Sequence, residues 1–250
     1  MPGGTSPLDV AHPGAPYPRL RTVESRRAAL DIYVEHFDQR AIDLASQLHS
    51  GNLSAEGWQQ AMQQELKYLH VSSLVLAHGG ERANITQAEW GRLGAHCRTQ
   101  YAYLNRYAQA VQNSALNALA GNGNFYSEKY LQWRSQLYGG NARASFYVGL
   151  AQGMLPQVPG DGKTICRTSC KCGLRFEEGN TPGLLLVYWE LGVAEHCDDC
   201  VHLSETWNPY ELWLPAAMAV ASTTAETSAT MAAASAMARE WARWLPKMAI

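Results

Sequence analysis

Five of the six cysteines fall in two short groups, Cys166, Cys170 and Cys172 in TICRTSCKC and Cys197 and Cys200 in AEHCDDC. The second group is a CxxC pair, a spacing in which one backbone turn supplies two thiolates to a single metal ion. Zinc is the expected ion, because sulfur-rich tetrahedral sites select zinc or iron and no multi-cysteine iron–sulfur motif is present. We expect Cys197 and Cys200 to be ligands. The other two are either Cys170 and Cys172 or Cys166 and Cys170, and the spacing does not choose between these pairs.

The residues around the cysteines favour a structural zinc ion over a catalytic one. His196 and His202 flank the CxxC pair, so the candidate ligands outnumber the four positions of a zinc ion. Nucleobase deaminases need a His or Cys two residues before a glutamate, and metalloproteases need HExxH, but the sequence contains neither pattern. A zinc ion with four thiolates has no open position for water. We therefore predict no catalytic residues and no small-molecule substrate, and a zinc-dependent hydrolase or deaminase is the least favoured function.

Composition is consistent with this assignment. The 250 residues, 46% of them hydrophobic, suffice for a large core, and 20 Lys+Arg against 22 Asp+Glu leave a net charge of -2. This small negative net charge does not attract the chain as a whole to nucleic acid or to an anionic membrane. The sequence contains no recognisable secretory signal and no apolar run long enough to span a bilayer. We expect assembly in a reducing cytoplasm, where grouped cysteines bind metal more often than they form disulfides.

Apolar residues at helical spacing dominate residues 21–155, which we predict to be a helical body of about four long helices. Thr86 and Glu89 form a capping-box pattern that predicts the start of the third helix. A break is expected in the fourth helix at Gly139 and Gly140. The predicted helices start near residues 23, 54, 86 and 127.

Residues 156–214 have a different character, with turns and two short runs of β-formers at 174–176 and 184–191 around a Gly/Asn/Pro/Gly turn. A hairpin here would return both cysteine groups to the same place, as in a zinc ribbon. Residues 1–20 are predicted to be an extended Pro/Gly-rich arm, and the Ala/Ser/Thr-rich residues 215–250 to be a helix or a flexible tail. The expected fold class is mainly α, with a helical body followed by a small zinc-stapled β-hairpin module.

Other polar and aromatic residues carry weaker signals. Four histidines on or beside the predicted helices, His36, His49, His70 and His78, are expected at surfaces or helix ends, and Cys97 in the core. Six aromatic residues at helical spacing could stack bases but favour core packing or a protein interface: Tyr101, Tyr103, Tyr107, Tyr126, Tyr130 and Trp133. A basic stretch could contact DNA phosphates locally: Arg134, Arg143, Lys163, Arg167, Lys171 and Arg175. The alternative function is therefore a zinc-ribbon nucleic-acid-binding protein.

Several segments together resemble a known family. The helical segments are LSAEGWQQAMQQELKYLHVSSLVLAHGG, ITQAEWGRLGAHCRTQYAYLNRYAQAV and RSQLYGGNARASFY, and the cysteine segments are PGDGKTICRTSCKC and YWELGVAEHCDDC. Across residues 25–213 the chain resembles the minor head proteins of tailed phages, in the Mu F-like head-morphogenesis family.

The resemblance implies a virion structural protein that acts in head morphogenesis. Its implied partners are the portal protein, the major capsid protein or both, and its location is the capsid after assembly in the host cytoplasm. Cys170, Cys172, Cys197 and Cys200 match the CxC and CxxC elements of the family. The expected function is therefore that of a non-enzymatic minor capsid protein with a structural zinc site.

Overall fold

Helices make up most of the chain before residue 151, and a small sheet follows them. The computed structural model describes residues 22–167, 170–193 and 195–214, so the predicted arm and tail lie outside the described residues. The mainly α fold class is confirmed. The helices are α1 Val23–His49, α2 Ala55–Ala77, α3 Gln87–Leu119, α4 Glu128–Gln136, α5 Ala142–Leu150 and α6 Asp198–Thr206. The strands are β1 Gly173–Glu178, β2 Leu184–Glu190 and β3 Tyr210–Trp213.

Side-chain hydroxyl groups set the starts of the first four helices. Thr22, Ser54 and Ser127 each accept a hydrogen bond from a backbone N–H in the first turn of α1, α2 and α4. Thr86 begins α3 with the full capping box, in which the Glu89 carboxylate accepts from the Thr86 N–H at 2.8 Å. The predicted helix starts are confirmed. In the described part of the chain, no helix is both long and apolar enough to cross a bilayer.

Helix α2 is the central helix of the body and packs against α1, α3 and α5. Its second half is therefore buried on nearly all sides, from Leu69 to Ala77. His70 lies in this half with only 1% of its surface exposed, and its Nδ1 is 2.8 Å from the Ser145 hydroxyl on α5. The prediction that His70 is a surface or helix-end residue is wrong, because α1, α3 and α5 together cover the half of α2 in which His70 lies.

The predicted break in the fourth helix is confirmed. A short 3-10 turn, Gly139–Asn141, separates α4 from α5. A Cβ atom at Gly139 would lie 2.7 Å from the Asp38 Oδ1 atom and 2.9 Å from the Phe37 ring of α1. The close approach to α1 leaves no room for a side chain, and the chain changes direction at this point.

The sheet is antiparallel in the order β1-β2-β3. The predicted hairpin is confirmed, with Gly173 opposite Glu190, while α6 and β3 are additional elements. Leu174, Val187 and Trp189 face a hydrophobic cluster that also contains Phe146 of α5 and Leu30 of α1. The hairpin module and the helical body thus share one core.

Candidate metal centre

The register of the hairpin brings the two cysteine groups together. Because Gly173 pairs with Glu190, the chain before β1 lies beside the chain after β2. The approach is closest at Gly192, where an added Cβ would lie against the carbonyl oxygen of Lys171 and 3.0 Å from its carbonyl carbon. The prediction that the ends of the hairpin meet is confirmed.

Helix α6 positions the CxxC pair. Cys197 is the N-cap residue in an extended conformation, and Cys200 follows in the first turn, where its N–H donates to the Cys197 carbonyl at 3.0 Å. Asp199 Oδ2 accepts a hydrogen bond of 2.8 Å from the Ile165 N–H. This contact fixes the start of α6 to the loop that carries Cys166.

The loop before the hairpin is shaped by a turn around Cys166. The Arg167 N–H donates to the Thr164 carbonyl at 2.8 Å, and Arg167 has a φ of 51°. The Thr164 hydroxyl lies 3.3 Å from the Cys166 sulfur. Neither Thr164 nor Asp199 was a predicted site residue. Asp199 contacts a residue 34 positions away, which leaves no signal in local spacing, whereas Thr164 lies only two residues before Cys166.

Four sulfur atoms gather between this loop and α6. The Cys166 Sγ atom is 3.7 Å from that of Cys200 and 3.6 Å from that of Cys197, and the Cys170 and Cys200 Sγ atoms are 3.6 Å apart. The sulfurs of Cys166, Cys170 and Cys200 all lie within 4.8 Å of one another. Zinc–sulfur bonds of about 2.3 Å in a tetrahedron place the sulfurs about 3.8 Å apart. The cluster could therefore bind a metal ion.

Cys172 is not one of the three cysteines whose sulfurs lie within 4.8 Å of one another. Its side chain is buried in the shared core, and its Sγ is 3.7 Å from His196 Nδ1. The other ring nitrogen, Nε2, is 3.0 Å from the Gly192 carbonyl oxygen, so a proton on Nε2 would be donated to that oxygen. Of the two ligand pairs that the sequence left open, this geometry favours Cys166 and Cys170. It differs from the set implied by the family resemblance, which contains Cys172.

The thiols of Cys197, Cys170 and Cys200 differ in pKa. Although burial alone would raise it, the pKa of Cys197 falls to about 7, because the backbone N–H groups of Cys200 and Cys166 donate to its sulfur. Burial, followed by the neighbouring sulfurs, raises the pKa of Cys170 to about 12 and that of Cys200 as well. Four thiolates this close repel one another, and a bound divalent cation would remove that repulsion and displace the remaining protons.

The predicted basic stretch is partly paired with acidic side chains. Four of its six side chains have intramolecular contacts: Arg175 with Glu190 and Glu177, Arg143 with Asp31, Lys163 with the Pro156 carbonyl, and Arg134 over the ring of Tyr107. Arg167 and Lys171 are exposed. Lys163 and Arg134 contact neutral groups and keep their charge, whereas Arg175 and Arg143 are paired with carboxylates.

No protein-family model, curated protein or solved structure matches this chain. Functional inference therefore depends on the geometry of the cysteine cluster and on the sequence segments described above.

Proposed function

We propose that this protein is a structural component of a phage virion, a minor head protein in which Cys166, Cys170, Cys197 and Cys200 bind one structural zinc ion. The observation that carries the zinc site is the separation of the sulfur atoms, 3.6–3.7 Å for three pairs, against the tetrahedral edge of about 3.8 Å. The virion role follows from the resemblance of residues 25–213 to the head-morphogenesis family.

A site of this kind is structural rather than catalytic. Four thiolates complete the coordination of zinc, and no position is left for a water molecule or a substrate. The ligands come from the loop before β1 and from the start of α6, on either side of the hairpin. Zinc would thus lock the two ends of the hairpin together and hold the module on the shared core. We infer a non-enzymatic role.

Zinc is the metal that best suits these ligands. All four candidates are thiolates, which select zinc, copper(I) or iron–sulfur clusters over hard cations such as magnesium. The sulfurs of Cys166, Cys170 and Cys200 are spaced for one tetrahedral ion, and Cys197, whose sulfur is 3.6 Å from that of Cys166, would move closer to the other two to complete the set. The low pKa of Cys197 provides one thiolate near neutral pH to begin binding.

Exposed apolar side chains beside the cysteine cluster support a packing role. Ile165 next to Cys166 is 66% exposed, Val193 after β2 is fully exposed, and Leu191 and Val201 are 40% and 39% exposed. Solvent-exposed apolar groups of this kind commonly belong to protein interfaces. We infer that this end of the molecule packs against the portal protein or the major capsid protein.

Co-expression with these two proteins from the same phage genome tests the virion role. We expect the chain to co-purify with the portal or the capsid protein, and Val193→Asp to weaken that association because it places a charge in the interface. Leu119→Asp is the matched control, since Leu119 is 86% exposed at the distant end of α3. Absence of the protein from purified virions by mass spectrometry would contradict the proposal.

Gel-shift titrations distinguish the nucleic-acid alternative. A zinc-ribbon DNA-binding protein would bind duplex or single-stranded DNA with an affinity that falls steeply as salt rises. The carboxylate partners of Arg175 and Arg143 reduce the local positive charge available for such binding. We expect no salt-sensitive shift at physiological ionic strength.

A further inference from the structure

A second feature lies at the other end of the helical body, where the last turns of α3 and the following loop border an open surface cleft of about 390 Å³. We call it the amide cleft, and its lining includes Asn113, Ser114, Asn117, Asn122, Asn124 and Tyr126. Its size lies in the range of ordinary small-ligand sites.

The loop is held against the helix by its backbone. The Asn122 N–H donates to the Asn117 carbonyl at 2.9 Å, and the Ser114 hydroxyl donates to the Asn124 carbonyl at 3.4 Å. Gly121 and Gly123 have φ values of +72° and +153°, which let the chain reverse immediately after α3. The cleft is therefore formed by the fold of the loop itself.

The side-chain amides in the cleft are free to bind a ligand. Within the described residues, the amides of Asn113, Asn117, Asn122 and Asn124 have no intramolecular hydrogen-bond partner. Each amide both donates and accepts, as sugar hydroxyls do. Residues 107–127, which line the cleft, contain no Asp, Glu, Lys, Arg or His, whereas Lys129 and Arg134 lie on α4 beside the neighbouring rings.

Aromatic rings continue from the cleft along α4. The ring centroids of Tyr126 and Tyr130 are 5.0 Å apart, and those of Tyr130 and Trp133 are 5.8 Å apart. Tyr130 is 39% exposed and Trp133 54% exposed, although both are large aromatic residues. Exposed aromatic faces beside free amides suit a ligand with apolar C–H faces and hydroxyl edges.

We propose that the amide cleft and the neighbouring rings of Tyr126, Tyr130 and Trp133 bind a neutral oligosaccharide. The sugar hydroxyls exchange hydrogen bonds with the asparagine amides, and the pyranose faces pack on the exposed rings. This site is independent of the zinc centre and of the proposed virion role. Because Lys129 and Arg134 lie on α4 beside these rings, the salt dependence of binding distinguishes a neutral sugar from a nucleic acid.

Isothermal titration calorimetry with maltohexaose, cellohexaose and chitohexaose tests this site. We expect at least one hexasaccharide to bind with a Kd of about 1 mM or tighter, unchanged by salt. Trp133→Ala and Asn117→Ala should each weaken binding about fivefold to tenfold through loss of stacking or of a hydrogen bond. Trp213→Ala is the matched control, because Trp213 on β3 is 53% exposed, almost the same fraction as Trp133.

Three outcomes would overturn the proposal. One is the absence of binding by all three sugars at about 10 mM. The second is sugar binding that neither Trp133→Ala nor Asn117→Ala weakens. The third is salt-sensitive binding of oligothymidylate that depends on Trp133, without sugar binding, which would identify a nucleic-acid surface instead.

Discussion

Replacing Gly192 with alanine should impair metal binding without changing a cysteine. Gly192 follows β2 and lies against the backbone of Lys171, between Cys170 and Cys172. Its carbonyl oxygen also lies 3.0 Å from His196 Nε2. An added methyl group would therefore push apart the two chain segments that carry the ligands.

The size of the effect follows from the contact distances. The new Cβ would lie 3.0 Å from the Lys171 carbonyl carbon, whereas carbon atoms in contact are about 3.5–4.0 Å apart. Relief requires a backbone shift of about 0.5–1 Å, which costs about 1–3 kcal/mol in a packed region. Metal–ligand distances tolerate only about 0.2 Å. We expect Gly192→Ala to lower zinc affinity by about tenfold to a hundredfold.

Competition with a chromophoric zinc chelator measures this affinity directly. Gly91→Ala is the matched control, since a Cβ at Gly91 on α3 meets no atom within 4 Å. The control should bind zinc as the wild type does. Wild-type affinity in Gly192→Ala would refute the inference that the closeness of the hairpin ends positions the ligands.

Three further predictions concern packing, pH dependence and thiol reactivity. Gly149→Ala should lower the free energy of unfolding in urea by about 1–3 kcal/mol, because its Cβ would lie 2.5 Å from the Ala77 Cβ atom and 3.0 Å from the Leu74 Cδ1 atom on α2. Burial lowers the pKa of His70 to about 3 from 6.5, so only the unfolded chain gains this proton as pH falls below 6.5. The free energy of unfolding should then decrease by about 1.4 kcal/mol for each unit by which the pH falls below 6.5, because of this residue. Urea titrations at pH 7 and pH 5 should show a smaller decrease in His70→Gln than in the wild type. In metal-free protein at pH 7.5, mass spectrometry should find Cys197 alkylated before Cys97, whose pKa burial raises to about 11.

Each of these has a clear contradicting result. Unchanged stability in Gly149→Ala would mean that α2 and α5 can separate at little cost. Equal pH dependence in wild type and His70→Gln would mean that the imidazole takes up its proton in the folded protein. Alkylation of Cys97 at the rate of Cys197 would show that the core around α3 opens readily.

Local sequence patterns were sufficient to predict most of the helices of the helical body. The Thr86 and Glu89 pair specifies the start of α3, because both halves of a capping box lie within four residues. The two strands of the hairpin were also evident from their β-formers and the turn between them. His70 was misplaced, because its burial comes from α5 and α3, which contact it through Ser145 and His96, and no local pattern on α2 encodes these contacts.

The cysteine region was predicted less completely. Helix α6 has nine residues and few apolar positions, Cys200 and Leu203 being its buried ones, so its periodicity is too short to detect. The choice between Cys166 and Cys172 depends on the start of β1. Cys172 is two residues before Leu174, and because side chains alternate along a strand, both lie on the face toward the core. The sequence contains this pattern, but using it requires the exact residue at which β1 begins.

Metal content of the purified protein tests the central claim most directly. Elemental analysis by mass spectrometry should find one zinc ion per chain in the wild type and in Cys172→Ser, whose sulfur lies with His196 outside the cluster. Cys166→Ser and Cys200→Ser should lose most of the zinc, because each removes a thiolate that lies 3.6–3.7 Å from its neighbours. Zinc-free wild-type protein that melts at the same temperature with and without added zinc would contradict the account, as would loss of zinc in Cys172→Ser with retention in Cys166→Ser.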